Sequence, residues 1–394
     1  MCPHCGDLPV NHSKEYWPLV IDSFLTPLHG FLDIIWQKCG APIKLLCADK
    51  HMVTLLRFLT RCGVASRQKA TEPQEEIMFQ CMWEEAEKRG IRIEEFVLFH
   101  QRRGICVAYY KEKMYCFDRL PRPPGISQSL YWMDNKAILK KKLSAQGIPV
   151  ARGEAVFSLP SLIKVFHHLT KPVVTKPHIG SGCCHVTMHI MTEEEAISAF
   201  TIAKELSPFV VIEEQLVGPV YRVTGIGGKI IGVMRRDQPS VVGDGYSSVQ
   251  QLIEKENQHP KRKSCGPLFY TITIDEKTHA ELKRQHMTIA DIPQKGKVVT
   301  LHPKINRSFG GTTTDVTDLV HPDNLALFEK IILCMGDPLI GIDFIIADIS
   351  QSWIYQPHCG VIECNSLPFI GGHHLPFDGQ PRNAAGALWD LIFP

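Results

Sequence analysis

Two short stretches carry residue types that could do chemistry. VVTKPHIGSGC (173–183) is an apolar run that delivers Lys176 into a loop of Gly180, Ser181 and Gly182. Small residues let backbone N–H groups close on phosphate oxygens, and a lysine adds charge. The same pattern also fits a plain strand ending at a glycine turn with a solvated lysine. Near the C-terminus, GIDFII places Asp343 in an apolar strand, and GVIECNS places Glu363 and Asn365 two apart, on one strand face. Carboxylates in apolar strands are costly unless paired or bound to a cation. Two carboxylates and an amide are hard oxygen ligands of the kind Mg²⁺ shares with substrate phosphates. Taken together, the two stretches point to metal–phosphate chemistry.

The intervening chain must position these groups. Residues 1–125 have their own texture, with expected helices at 29–40 and 75–90, a short strand at 41–50, and a hairpin about Lys111-Glu112-Lys113 (104–120). PRPPG (121–125) breaks the chain and marks a domain boundary. Beyond it, a helix from a capping Asp134 to Gly147 leads into a strand at 153–158 and a helix at 158–169. The glycine loop, a helix at 193–206 and a strand at 208–218 follow. YRVTGIGGKIIGVMRRD (221–237) reads as two strands about a Gly-Gly turn. An excursion at 238–305 carries a helix at 248–258 and a basic turn, HPKRKS. A helix at 324–336, strands at 341–350 and 357–366, and a closing helix at 383–393 complete the pattern. Glycine turns join strands directly, which favours α/β layers with mixed or antiparallel sheets over a doubly wound parallel sheet.

Composition narrows the function classes. Forty-three Lys plus Arg against 41 Asp plus Glu give a net charge of +2 over 394 residues, which disfavours a coat for nucleic acid or anionic membrane. No run approaches the ~18 apolar residues of a membrane span, and the N-terminus lacks a signal-peptide pattern. A cytoplasmic setting with reduced thiols is expected. G-x-G-x-x-G after a strand, G-x-x-x-x-G-K-[ST] and G-x-S-x-G are all absent, which removes the main support for dinucleotide, P-loop and serine-hydrolase readings.

In order, Asn135-Lys136 opening a helix, VVTKP with its glycine loop, VIEEQLVG, MRR, GIDF and ECN resemble the ATP-grasp superfamily of carboxylate–amine ligases. VVGDGYSSVQQLIEKENQHP (241–260), INRSFGGTTTDVTDLVHPDN (305–324) and GQPRNAAGALWDLIFP (379–394) resemble most the ATP-grasp domain of the cyanophycin synthetases, and more distantly glutathione synthetase and D-alanine–D-alanine ligase. The resemblance covers roughly residues 130–394. It implies an N-terminal domain (1–125) and two α/β lobes (126–211 and 212–394) with mixed and antiparallel sheets clasping ATP. It also implies an ATP-dependent acid–amino-acid ligase that forms an amide through an acyl phosphate and acts on an amino acid or short peptide. A non-catalytic nucleotide-binding module is the alternative.

The resemblance assigns roles residue by residue. Lys136 and Lys176 would contact ATP phosphates, under a loop over Gly180–Cys184 that includes Ser181 and Gly182. Glu213 and Glu214 would face adenine, with backbone groups of Gln215 and Leu216 reading the ring. Arg235 or Arg236 would stabilise the transferring phosphate. Asp343, Glu363 and Asn365 would hold Mg²⁺, or alternatively Mn²⁺. Asn306, Ser308, Gly310 and Gly311 would line the acyl-phosphate end. Two positions depart from the pattern: Val220 stands where relatives carry an acidic ribose contact, and Thr175 where they carry an apolar residue. A homodimer is in keeping with the resemblance; nucleic-acid and membrane partners are not expected.

Some features fall outside that scheme. Cys2 and Cys5, with His12 nearby, form only half of a zinc-site spacing, so zinc is not expected there. His373-His374 reads either as substrate-facing or as a surface pair, and Lys261-Arg262-Lys263 as a solvated turn or a place where an acidic substrate or tail docks.

Overall fold

A computed structural model describes residues 12, 16, 49–68, 77–98, 101–118, 120–122, 132–133, 135–178, 184–264, 269–305 and 307–394. The strands number β1 (Ala65–Gln68), β2 (Arg92–Leu98), β3 (Gln101–Tyr110), β4 (Lys113–Asp118), β5 (Gly153–Val156), β6 (Val173–Pro177), β7 (Thr187–Ile190), β8 (Val210–Glu214), β9 (Val220–Ile226), β10 (Lys229–Asp237), β11 (Ser240–Val242), β12 (Val298–Thr300), β13 (Thr312–Asp315), β14 (Leu339–Ile345) and β15 (Gly360–Asn365). They form four sheets, ordered β1-β2-β3-β4, β5-β8-β6-β7, β13-β10-β9-β14-β15 and β11-β12. Every pairing between these strands is antiparallel. The expected α/β architecture without a doubly wound sheet is what forms. Among the described residues, no helix is long and apolar enough to cross a membrane.

Local chemistry explains the helices around the site. Asn135 caps the helix Lys136–Ala145, its side chain accepting from the Ala137 and Ile138 amides. The expected cap was Asp134; Asn135, one residue later, takes that role and brings Lys136 to the first helical position. Glu193–Lys204 starts with a capping box of Thr192 and Glu195, with acids in its first turn and Lys204 in its last. Pro322–Met335 begins at a proline and ends at Gly336, which adopts the left-handed cap (φ 65°). Gly227 and Gly228 both have positive φ and turn β9 back into β10.

Each sheet buries its own apolar face. The helices Leu159–His168 and Glu193–Lys204 cover β5-β8-β6-β7 over Leu162, Phe166, Phe200 and Ile212. The helix Pro322–Met335 covers one face of the five-stranded sheet over Phe328, Ile331, Ile342 and Phe344. One face of the N-terminal sheet packs against the helix Asp49–Arg61 over Val53, Leu56, Phe96 and Val107, and the other face shares its core. Met82, Phe117 and Leu120 share one cluster with Ile226, Leu339, Leu388 and Trp389 of the C-terminal part. The excursion is more structured than expected. It adds a helix at Glu276–Arg284, and its own core contains Val249, Leu252, Leu282 and Leu301. The basic run there is not a solvated turn. It lies in a short helix, Pro260–Ser264, where Lys261 donates to the Pro376 and Phe377 carbonyls and buried Arg262 bonds Glu256 and the Tyr270 carbonyl. The expected helix at 29–40 and residues 41–48 of the strand expected at 41–50 lie outside the described residues, while Asp49 and Lys50 open the helix Asp49–Arg61 instead.

Trp389 fastens the closing helix to the N-terminal sheet. It is 1% exposed, and its indole N–H donates to the Met82 carbonyl at 3.0 Å. Truncating Trp389→Ala is expected to cost about 3–5 kcal/mol, read as a lowered denaturant midpoint in chemical unfolding.

Candidate active site

β9, β14 and β15 lie side by side, and their register sets Arg222 opposite Asp343 and Asp343 opposite Glu363. Asp343 is 1% exposed and accepts from Arg222 at 2.5 and 2.9 Å and from Arg236 at 3.1 Å. Burial alone would raise its carboxyl; the two guanidiniums hold it well below the usual carboxylate range. Glu363 behaves oppositely. Burial and the neighbouring Asp343 carboxylate push it up, and Lys136 offsets this in part. Lys136 Nζ lies 3.9 Å from Glu363, and Asn365 Nδ2 3.4 Å from it. The three expected metal ligands therefore sit on adjoining strand positions around one crowded pair of carboxylates. Two neighbouring carboxylates with an amide beside them are oxygen donors of the kind a hard divalent cation takes.

The helix Lys136–Ala145 carries the charge row into the other lobe. One turn after Lys136, Lys140 is buried and bonds both Glu213 and the Ala151 carbonyl. Lys176 donates to the second Glu213 oxygen at 2.7 Å. Burial would raise the Glu213 carboxyl, but the Lys140 and Lys176 ammoniums overcome it and hold it low. Burial also lowers Lys140 itself. A chain of charged groups, with both like and opposite neighbours, thus runs from Arg222 through Asp343, Glu363, Lys136, Lys140 and Glu213 to Lys176, across the seam between the sheets.

Other expected residues scatter more widely. Arg235 is on the opposite face of β10 from Arg236, bonded to Asp237 at 2.7 Å, so of the two arginines only Arg236 reaches Asp343. Glu214 accepts from the Thr170 amide at 2.9 Å and faces Arg152 at 3.6 Å. The Gln215 side chain bonds His189, and its backbone N–H donates to Pro172. Leu216 is half-buried in the crossing to β9. In that crossing Gly218 has φ 128°, and a Cβ there would sit 2.4 Å from the Ile346 carbonyl oxygen. Val220 is 9% exposed. Gly180, Ser181, Gly182 and Asn306 lie outside the described residues, as do Cys2 and Cys5. His373 and His374 do not form a surface pair. His373 is 1% exposed and bonded to Thr224 at 2.7 Å, and His374 accepts from the Ala385 amide.

A cleft of about 120 Å³, open to solvent, is lined in part by Arg222, Arg236, Arg307, Gly311, Thr313 and Phe369. Arg307 stacks over Phe369 at 3.9 Å. Thr313 Oγ1 is buried without a hydrogen-bond partner, a polar group suited to a substrate atom. Sequence reasoning missed Arg222, Lys140, Thr313 and Arg122. Arg122 bonds buried Asp337 at 3.1 Å and the Leu339 and Ser366 carbonyls, tying the chain break to the start of β14 and the end of β15. The rule that exposed the acids, charge inside an apolar run, also marks Arg222 in VYRVTG.

The comparisons bear on the same region. No protein-family model matches the chain. Cyanophycin synthetase of Trichormus variabilis is 33% identical over 262 residues, 66% of this chain and 29% of that protein. Glutathione biosynthesis bifunctional protein GshAB of Pasteurella multocida is 32% identical over 275 residues, 66% of this chain and 35% of that protein. The crystal structure of a bifunctional glutathione synthetase from Pasteurella multocida superposes with a TM-score of 0.62 at 27% identity, covering 82% of this chain and 44% of that one. The chain spans about a third of the length of the curated relatives it matches.

Replacing Glu213 tests the buried charge chain. Glu213→Gln leaves two buried ammoniums facing a neutral amide and is expected to destabilise by about 3–5 kcal/mol near pH 7. With its folded pKa below the ordinary 4.5, Glu213 contributes stability above that value. The contribution is lost as pH falls through the lowered one. The gap between wild type and variant in urea unfolding should narrow below about pH 4.5 and persist at neutral pH.

Proposed function

We propose that this chain, whose matched two thirds is an ATP-grasp unit, is an ATP-dependent ligase that joins the carboxylate of an amino acid or short peptide to an amine, releasing ADP and phosphate. The observation that carries the reading is the row Arg222–Asp343–Glu363 on adjoining strands, continued through Lys136 and Lys140 of one helix to the Glu213–Lys176 pair.

A carboxylate is a poor acyl donor. Moving the γ-phosphoryl group onto it makes an acyl phosphate, which an amine opens to an amide. Phosphoryl transfer asks for positioning and charge neutralisation more than for a protein nucleophile. These residues supply that. Lys136 and Lys176 stand where phosphate oxygens would be held, and Glu213 fixes the Lys176 ammonium. Arg236, reaching past Asp343, stands beside the cleft to meet the transferring group. Asp343, Glu363 and Asn365 would hold Mg²⁺, or Mn²⁺, whose charge when bound offsets that of the phosphates. The Arg307 and Thr313 side of the cleft would receive the carboxylate and amine substrates. ATP as substrate supports a cytoplasmic setting.

One observation favours a second reading, nucleotide binding without turnover. Val220 offers no group to the ribose, and Glu213 and Glu214 already have partners. The two readings separate on turnover. ADP release in an amino-acid and dipeptide mixture is expected in the wild type, with a new amide product by mass. Glu363→Ala is expected to lower it by at least ~10²-fold. ATP binding with no ADP release would support the second reading, and ADP release unchanged by Glu363→Ala would overturn the first.

A further inference from the structure

We infer that His373 is a positioning residue. It seats the wall that Phe369 and Gly372 give to the cleft, and through Phe369 it sets the place of Arg307 on the substrate side. The words "substrate side" rest on the ligase reading above; the seating itself does not.

The register of β9 and β10 places the ring. Thr224 stands opposite Gly232, and the next pair on the same face is Arg222 opposite Met234. His373 lies over the first pair. Its Nε2 is 2.7 Å from Thr224 Oγ1, and a Cβ built on Gly232 would fall 2.6 Å from its Nδ1. A side chain at position 232 would therefore push the imidazole off the sheet. The second pair lines the cleft together with Phe369 and Gly372. A Cβ on Gly372 would fall 3.0 Å from Met234 Cε, so the cleft wall and the seated ring are consecutive residues on consecutive cross-strand pairs.

The ring is held from several directions. His373 and Thr224 are both buried. Nδ1 finds no hydrogen-bond partner among the described residues, so Thr224 and the close fit to Gly232 orient the imidazole. Burial, and then the Arg222 guanidinium, lower it to about 3, so the ring is neutral and adds no charge beside Arg222. The His373 carbonyl accepts from the Arg382 amide at 2.7 Å, and the Arg382 side chain bonds Asp315, at the end of β13, at 2.7 Å. An imidazole buried with one idle nitrogen costs free energy that an apolar side chain of similar size would not, so packing alone does not account for it. What it fixes lies toward the cleft. Phe369, four residues earlier, carries the Arg307 guanidinium at 3.9 Å.

The test has two arms, both on the full chain. The first needs no turnover: hydrogen–deuterium exchange is followed by mass spectrometry in Thr224→Val, His373→Leu and His373→Gln. Thr224→Val keeps the buried volume, so it reads the contact even where His373→Leu fails to fold. Both are expected to speed exchange about tenfold in peptides over 366–375 and 307–313, as the loss of one buried hydrogen bond allows, and to leave peptides over 193–214 unchanged. His373→Gln, whose amide still reaches Thr224, is expected to stay near wild type. Faster exchange over 366–375 alone, a uniform rise along the chain, or no change would each overturn the proposal. The second arm measures ADP release against the amino-acid and dipeptide mixture and against ATP. Thr224→Val is expected to raise KM for the mixture about fivefold or more and to leave KM for ATP within about twofold. An equal rise in both, or a loss in kcat alone, would overturn the positioning role. Absence of ADP release in the wild type would sink the ligase reading instead, and the exchange arm would then decide the seating by itself.

Discussion

Burying a carboxylate is costly, and this chain buries several in the middle of its fold. Asp343 and Glu213 are nearly inaccessible, so each must be matched by cations at contact distance. Arg222 and Arg236 match the first; Lys140 and Lys176 match the second. The partners come from different elements: β9 and β10 for Asp343, the helix Lys136–Ala145 and β6 for Glu213. The requirement to neutralise charge thereby fixes how those elements sit against one another. Glu363 is pushed up first by burial and then by the Asp343 carboxylate, with Lys136 and Arg222 offsetting this in part.

The arrangement also accounts for the N-terminal part. Its four-stranded sheet does not stand apart; it leans on the closing helix through Met82, Phe117 and Trp389. Arg122, at the chain break, fixes the start of β14 and the end of β15 through Asp337, Leu339 and Ser366. Those strands carry Asp343, Glu363 and Asn365. The segment whose sequence says least about chemistry thus braces the strands whose sequence says most.

Much of the fold was legible because local signals agreed. Gly227-Gly228, the capping box at Thr192 and Glu195, and Pro322 with Gly336 all act within a few residues. The row of candidate ligands was legible because acids are conspicuous in apolar strands. Lys140 was not, since one more lysine in the run LKKK looks like a solvated helix face until the opposing Glu213 is in place. Arg235 and Arg236 could not be told apart as neighbours in sequence; the direction of β10 separates them. Lys261 and Arg262 read as a solvated turn because their partners, Phe377 and Tyr270, are supplied by the tertiary fold.

The central claim is that Asp343, Glu363 and Asn365 hold a divalent cation together with ATP. Calorimetric titration of ATP into the full chain, with and without Mg²⁺, tests it most directly. Mg²⁺ is expected to tighten ATP binding at least tenfold in the wild type, and Glu363→Gln to remove that gain while leaving metal-free binding in place. ATP binding of equal strength with and without Mg²⁺, or a gain that survives in Glu363→Gln, would contradict it.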